Sequence, residues 1–409
     1  VDCVERRTCR ACGGHNLAVL TGFGDLPLAN ALFSSRAGAI AAPRYPLGLM
    51  ECTYCGQIQL SHTVSPSLLY ANYPYESGVS QTFWGSCQTL ARKVEARLRS
   101  VPRGRISGAT TWLDIGCNDG TLFNAAHCDI GSFNGVGVDP SPQVQRLEGA
   151  GHTGIQALWT PDLAKKLRES GVKAQIVTAQ NVLAHTDDWD AFFEACTRIL
   201  AHHGLLVLEF PWAYDTFRLG EFDQIYHEHL SYILAGPLSR VLDRHGFYVD
   251  EVEELPIHGG SLRVWCNRDT ASDALAPYRE RESRLRYDAF LSAAQYTPAR
   301  LVSLLAEFPV DGAIGAAAKG TVMANVCGLT PHQVCCIVDD TSSKQGLYQA
   351  GTGIPIISRK EFDTHTLGRE ATMLVFAWNF LTEIQAKWPD TTLITPNPPR
   401  VHAPLLVGA

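Results

Sequence analysis

Leu113-Asp114-Ile115-Gly116-Cys117-Asn118-Asp119-Gly120-Thr121-Leu122-Phe123 carries an apolar run through a glycine-containing turn into a segment of helical spacing. That is a strand, a loop and a helix in eleven residues. The alternation continues on its C-terminal side. Residues 133–138, 174–178 and 204–209 read as short apolar strands, and 162–169 and 189–200 as the helices between them. Apolar strands separated by helices predict a parallel sheet covered on both faces.

The loop itself points to a ligand. Gly116 lets a small molecule approach the backbone, and the helix that follows presents unpaired N–H groups. The next strand ends in Val138-Asp139, where an acidic side chain can take both hydroxyls of a ribose. A dinucleotide would want a second glycine for its pyrophosphate, and Asn118 stands there instead. A ligand with a ribose and no phosphate fits better, and S-adenosylmethionine is such a ligand. The loop resembles the first motif of class I methyltransferases, and Asp139 resembles their ribose-binding acid. On that reading Gly116, Asn118 and Gly120 line the cofactor, and Asp114 lies near its methionine amino group. Asn181, in the Gln180-Asn181-Val182-Leu183-Ala184-His185 stretch, faces cofactor and substrate, while Ala157-Leu158-Trp159 flanks the adenine. The competing reading is a structural turn in an unrelated α/β protein; Asp139 at the expected place favours the cofactor.

Thirteen cysteines are too many and too scattered for a small secreted disulfide scaffold. Six of them, Cys117, Cys128, Cys196, Cys266, Cys335 and Cys336, sit in or near apolar patterns, where a thiol behaves as a small hydrophobe. Cys9-x-x-Cys12 and Cys52-x-x-Cys55 differ, because they supply the four thiolates of a tetrahedral zinc site. Gly13 and Gly56 follow the pairs and ease the tight turns. The interval between the pairs is longer than usual for a zinc ribbon, so an insertion must loop out. Redox chemistry is the rival, but neither pair has a thioredoxin-like βαβ context. Four sulfurs leave no open coordination position, so this metal should hold structure.

Over 409 residues the formal charge is 34 − 41 = −7, with 45% hydrophobic and 18% charged residues, an ordinary globular composition. No apolar run is long enough to cross a membrane, and the first residues carry no apolar leader, so a cytoplasmic protein is expected. Net acidity without a basic block speaks against nucleic acid or an anionic membrane as main partner. Three domains are expected: a zinc-binding domain at 1–70, a cofactor-binding domain at 71–255, and a smaller α/β domain at 256–409. The last contains expected strands at 311–315, 334–338, 371–378 and 391–394, with an amphipathic connector at 278–306. A monomer is expected, since no exposed apolar helix stands out.

Past the fourth strand comes Phe222-Asp223-Gln224-Ile225-Tyr226-His227-Glu228-His229-Leu230-Ser231-Tyr232. Its histidines are two apart, not four, so a zinc-protease helix is excluded. Placed at the carboxyl edge of the sheet, a His and a Glu suit proton abstraction beside a carbonyl, with Tyr as donor to an oxyanion. A solvated surface loop is the alternative.

Taken together, the chain resembles the zinc-containing, S-adenosylmethionine-dependent C-methyltransferases that act on nucleotide-linked keto-deoxysugars in antibiotic sugar biosynthesis. The resemblance rests on the four paired cysteines, the loop at 113–120, Asn181 to His185, Ile225 to Tyr232, His258-Gly259-Gly260-Ser261-Leu262-Arg263, Ala318-Lys319-Gly320 and Ala377-Trp378-Asn379. It implies that His229 is the general base, with Tyr226 and Glu228 beside it, His185 facing the sugar and Tyr75 entering the pocket. It also implies that Lys319 and Asn325 lie near a thymidine diphosphate carrier, with His258 and Arg263 as further substrate contacts. The base would remove a hydrogen next to the 4-keto group, most plausibly at C-3, and the enolate carbon would take the sulfonium methyl. Two other readings are a zinc-ribbon RNA methyltransferase and a non-catalytic nucleotide-sugar binding protein. The charge of −7 opposes the first, and His229 together with Gly116 and Asp139 opposes the second.

Overall fold

A computed structural model of the chain describes residues 2–70, 78, 81–100, 110–130, 133–257, 259–366 and 369–405. Its centre is a seven-stranded sheet in the order Tyr248–Leu255, Ser261–Asn267, Leu200–Pro211, Ala174–Gln180, Thr111–Ile115, Asn134–Asp139, Thr153–Gln156. The last five are mutually parallel, and the first two form an antiparallel hairpin on the edge of Leu200–Pro211. Along Thr111–Ile115 the side chains alternate between faces, as the two-residue strand period requires. Trp112 packs with Phe123, Ile176 and Trp265 on one side, while Leu113 and Ile115 pack with Val177 and Leu208 on the other. Both faces are covered, as expected for a class I methyltransferase-like sheet.

From Thr111–Ile115 the chain runs outward through Asn134–Asp139 and Thr153–Gln156, then returns to Ala174–Gln180 on the opposite side. Neighbouring connections therefore diverge beyond Ile115 and Gln180. That divergence opens a crevice at the carboxyl ends of the two strands, where ligands bind in open α/β sheets.

Three strands of this sheet depart from the sequence expectations. Thr153–Gln156 is a short edge strand. Tyr248–Leu255 is acidic, and helix Gln81–Ser100 answers its charges: Arg97 pairs with Asp250 at 2.8 Å and Lys93 with Glu253 at 2.7 Å. Charges facing a basic helix hide the apolar–polar alternation by which a strand is recognised. Ser261–Asn267 pairs on both its edges within this sheet, so the sheet extends to Asn267.

The N-terminal region forms a four-stranded antiparallel sheet in the order Ser231–Tyr232, Ile58–Leu60, Arg44–Cys52, Leu17–Pro27. Its outer strand, Ser231–Tyr232, comes from the segment that contains His229. At the other end of the chain, a six-stranded sheet runs Ile356–Ile357, Ile337–Val338, Gly312–Ile314, Thr372–Val375, Thr392–Pro396, Pro399–His402. The expected strand at 371–378 ends at Val375, because Trp378 turns away to bond Asp223. Tyr348–Gln349 pairs with Leu32–Phe33 and ties this domain to the N-terminal one. The expected connector is two helices, Ala276–Glu282 and Asp288–Glu307, the second burying Phe290, Leu301 and Leu305. Among the described residues no helix is long and apolar enough to cross a membrane.

Candidate active site and metal centre

Cys9, Cys12, Cys52 and Cys55 converge with all four sulfurs within 4.8 Å of one another. The Cys9 and Cys55 sulfurs are 3.6 Å apart, and those of Cys12 and Cys52 are 3.7 Å apart. A tetrahedron with zinc–sulfur bonds of about 2.3 Å has edges of about 3.8 Å, so the set fits one zinc ion with no position left for a substrate. The two turns are alike. Gly13 and Gly56 both adopt positive φ, +71° and +80°, and their N–H groups bond the carbonyls of Cys9 and Cys52. Cys9, Cys52 and Cys55 pack in the same core cluster as Leu206, Leu238 and Val241. The metal centre is thereby joined to the methyltransferase-like sheet, and Arg10 strengthens the junction through Asp187 at 2.8 Å.

In the crevice, Gly116, Asn118 and Gly120 all have positive φ, Asn118 at +48°. The Asn118 N–H donates to Asp139 Oδ2 at 2.9 Å, and the Ser141 N–H donates to Oδ1 at 2.8 Å. The Ser141 hydroxyl also donates to Oδ1, so it is Oδ2 that keeps a further lone pair for a hydroxyl donor. Gly116 is required by its own surroundings, since a Cβ there would lie 2.3 Å from Val182 Cγ2. Asp114 accepts from Thr178 Oγ1 at 2.6 Å, and burial pushes its carboxyl up to about 7. Asn181, at φ +58°, gives its backbone N–H to the Glu209 carbonyl. Its buried Oδ1 has no partner among the described residues. An orphaned buried acceptor, a carboxylate oxygen with an open lone pair and a buried acid facing one crevice fit S-adenosylmethionine, with its ribose hydroxyls and ammonium.

The segment at 222–232 splits into two pairs of side chains. Tyr226 and His229 are half-buried and hydrogen-bonded, with the phenol oxygen 2.7 Å from Nε2. The His185 ring stands edge-on to His229, centroids 4.9 Å apart, and its Nδ1 is hydrogen-bonded to the Tyr70 hydroxyl at 3.2 Å. Burial lowers the His185 pKa to about 4, so this imidazole is neutral. His227 and Glu228 are fully buried instead. His227 donates from Nε2 to the Tyr45 carbonyl at 3.0 Å, and Glu228 Oε1 accepts from Asn30 Nδ2 at 3.0 Å.

The C-terminal domain meets this segment at Asp223. Its Oδ2 accepts from Trp378 Nε1 at 2.6 Å, and its Oδ1 from Asn397 Nδ2 at 3.3 Å. Lys319 Nζ lies 4.4 Å over the Trp378 ring and donates to Asn379 Oδ1 at 3.1 Å. The Lys319 and Trp378-Asn379 motifs, far apart in sequence, are thus one cluster.

Three family models match successive parts of the chain: a zinc binding domain at residues 9–70, a methyltransferase domain at 87–252 and a C-methyltransferase C-terminal domain at 256–393. Over 396 residues the chain is 27% identical to the C-methyltransferase NovU of Streptomyces niveus, covering 92% of this chain and 90% of that protein. Zinc-binding, methyltransferase and C-methyltransferase C-terminal domains thus follow one another along the chain, which is an S-adenosylmethionine-dependent C-methyltransferase. Among solved structures, the plantazolicin methyltransferase BpumL in complex with SAH is 12% identical, with a TM-score of 0.35 over 46% of this chain and 84% of that one. The CurJ carbon methyltransferase is 15% identical, with a TM-score of 0.35 over 47% of this chain and 56% of that one.

Not every expected site residue of this methyltransferase joins the cluster. Arg263 is fully buried within the sheet, its guanidinium 2.7 Å from Glu209 and also bonded to Ser86 Oγ. Asn325 spends its amide N–H groups on the carbonyls of Thr321 and Ala350. Tyr75 and His258 lie outside the described residues. Sequence reasoning missed Asn30 and Tyr70, which come from the N-terminal region and carry no local motif. Asp223 lay within the quoted segment, but its role needs Trp378, 155 residues away.

Proposed function

We propose that this methyltransferase acts on a nucleotide-linked 4-keto-deoxysugar, methylating the carbon next to the ketone, C-3, through an enolate formed by His229. The observation that carries this reading is the Tyr226–His229 hydrogen bond with the neutral His185 edge-on to it, because carbon methylation needs one group to take a proton and others to hold the resulting charge. His229 removes the hydrogen from the carbon next to the ketone. Tyr226 orients the imidazole, and the neutral His185, held by Tyr70 at Nδ1 and beside the Glu228 backbone carbonyl, is the group assigned to the enolate oxygen. An oxyanion donor of this kind contributes about 3–4 kcal/mol. When bound, the cofactor supplies an electrophilic methyl on a sulfonium centre. Asp139 takes its ribose, Asp114 its ammonium, and Gly116, Asn118, Gly120 and Asn181 line the rest of the crevice. The zinc holds structure.

On the substrate side, Lys319 and its neighbours Trp378 and Asn379 form the wall of the C-terminal domain nearest the catalytic segment, which supports a role toward a thymidine diphosphate carrier.

The test is solvent-deuterium exchange at the carbon next to the ketone, with the demethylated cofactor bound. Wild type should exchange it and His229→Asn should not, with kcat lowered about 10²–10⁴-fold and cofactor affinity unchanged. Near-normal turnover in His229→Asn, with exchange abolished by His185→Asn or Tyr226→Phe, would move the base elsewhere in the pocket.

A further inference from the structure

Glu228 is 1% exposed, adjoins His229, and has one oxygen held by Asn30 while Oε2 has no partner among the described residues. Asn30 is itself held firmly. Its turn is closed by the Ala31 N–H to the Leu28 carbonyl, and Ala29 beside it is buried in the core cluster that contains Ile225 and Leu230. On one side of the turn, strand Leu17–Pro27 belongs to the N-terminal sheet; on the other, Leu32–Phe33 pairs with Tyr348–Gln349 of the C-terminal domain. The amide is therefore anchored by two domains and aimed at a carboxyl group in the third. Such a bond, spanning 198 residues, fixes a side chain that burial alone would leave free to rotate.

We propose that Asn30 is a positioning residue of the catalytic centre, holding the Glu228 carboxyl group so that its second oxygen is presented to the proton-transfer cluster beside His229. The inference rests on the reading of Tyr226 to His229 as that cluster. From neighbouring elements Tyr70 and Tyr232 lie near the Glu228 carboxyl group and His185 meets the Glu228 backbone carbonyl, with His227 and His229 flanking it on its own segment. Tyr70 and Tyr232 are held in their neutral forms by burial, and His185 is neutral, so Asn30 supplies the dipole that favours the ionised carboxylate against the cost of burial.

The experiment compares Asn30→Ala, Asn30→Asp, Glu228→Gln and the Asn30→Ala/Glu228→Gln double variant in the full-length, zinc-loaded chain. Two quantities are read: kcat and KM on a thymidine-diphosphate 4-keto sugar, and the titration of the Glu228 carboxyl carbon by NMR, assigned by its loss in Glu228→Gln. Asn30→Ala should lower kcat about 10- to 100-fold, the worth of a hydrogen bond to a charged group, with the KM for S-adenosylmethionine unchanged. In the Glu228→Gln background the same substitution should have no further effect. The Glu228 pKa should rise in Asn30→Ala, which removes a donor, and rise further in Asn30→Asp, which adds a like charge. Multiplicative effects of the two single substitutions, or an unmoved Glu228 titration, overturn the proposal. Should Asn30→Ala fail to retain zinc, the nearly isosteric Asn30→Asp carries the same comparison. If wild type turns over no 4-keto sugar, the substrate reading fails, and the Glu228 titration, which needs no substrate, still decides the role of Asn30.

Discussion

Trp378 donates its indole N–H to the buried carboxylate of Asp223 at 2.6 Å, joining the C-terminal domain to the segment that carries Tyr226 and His229. Asp223 is fully buried, so its carboxylate depends on the partners it has. Trp378→Phe keeps most of the ring and removes the donor. A hydrogen bond to a charged group is worth about 1.5–3 kcal/mol, and urea unfolding should show a loss of that size. An unchanged unfolding midpoint would mean that the indole does not anchor the segment.

The metal centre should contain one zinc per chain. Structural zinc sites contribute about 10–16 kcal/mol at neutral pH, more than the small N-terminal sheet could replace. Because Ser231–Tyr232 is a strand of that sheet, two residues after His229, a chelator should abolish activity along with the N-terminal fold. Metal analysis and circular dichroism of Cys52→Ser test this; a variant with normal zinc content and normal folding would refute it.

Asp114 makes cofactor binding pH-dependent. Its carboxyl, pushed up to about 7 by burial, is mostly protonated at pH 6 in the free enzyme. A cationic ammonium requires the carboxylate, so binding should release a proton below pH 7. Affinity for the demethylated cofactor should then rise with pH, by at most about tenfold per unit, and flatten above 7. Calorimetry at pH 6 in two buffers of different ionisation enthalpy measures the release. Equal proton release by Asp114→Asn would remove the assignment.

His227 should contribute to acid sensitivity. Its pKa is lowered to about 4 by burial, so between pH 4 and the ordinary value near 6.5 the unfolded chain binds the extra proton. Stability therefore rises with pH across that window, and the contribution lost on acidification is roughly 3 kcal/mol. Asp114 and Glu221, both pushed up to about 7, act in the opposite sense, so the readout is a single-site difference. His227→Gln removes the titrating ring, and its stability relative to wild type should improve as pH falls from 6.5 to 4. A pH-independent difference would place the acid-sensitive group elsewhere.

How much was legible depended on whether a pattern was local. The paired cysteines announced a zinc site because ligand spacing within each turn is set by two intervening residues. Leu113 to Phe123 announced the strand, loop and helix, and Asp139 followed from the length of one βα unit. Tyr248–Leu255 stayed hidden because its acidic side chains answer Lys93 and Arg97 on a helix rather than water. Ser261–Asn267 was not read as a strand of this sheet because nothing local records that it pairs with Leu200–Pro211.

The sequence by itself determined the chemistry available: four thiolates for one metal, a cofactor loop with its acid, and a Tyr-His-Glu-His run beyond a parallel strand. Tertiary structure decided which members of that run serve which purpose. Tyr226 and His229 were paired with each other and set against His185, whereas His227 and Glu228 were turned to Tyr45 and Asn30. It also withdrew Arg263 into an ion pair with Glu209 and drew Lys319 onto Trp378. The reason is physical. Periodicity and spacing report the backbone's own geometry over a few residues, but a hydrogen bond between Asn30 and Glu228 exists only because three domains pack, and packing leaves no repeat along the chain.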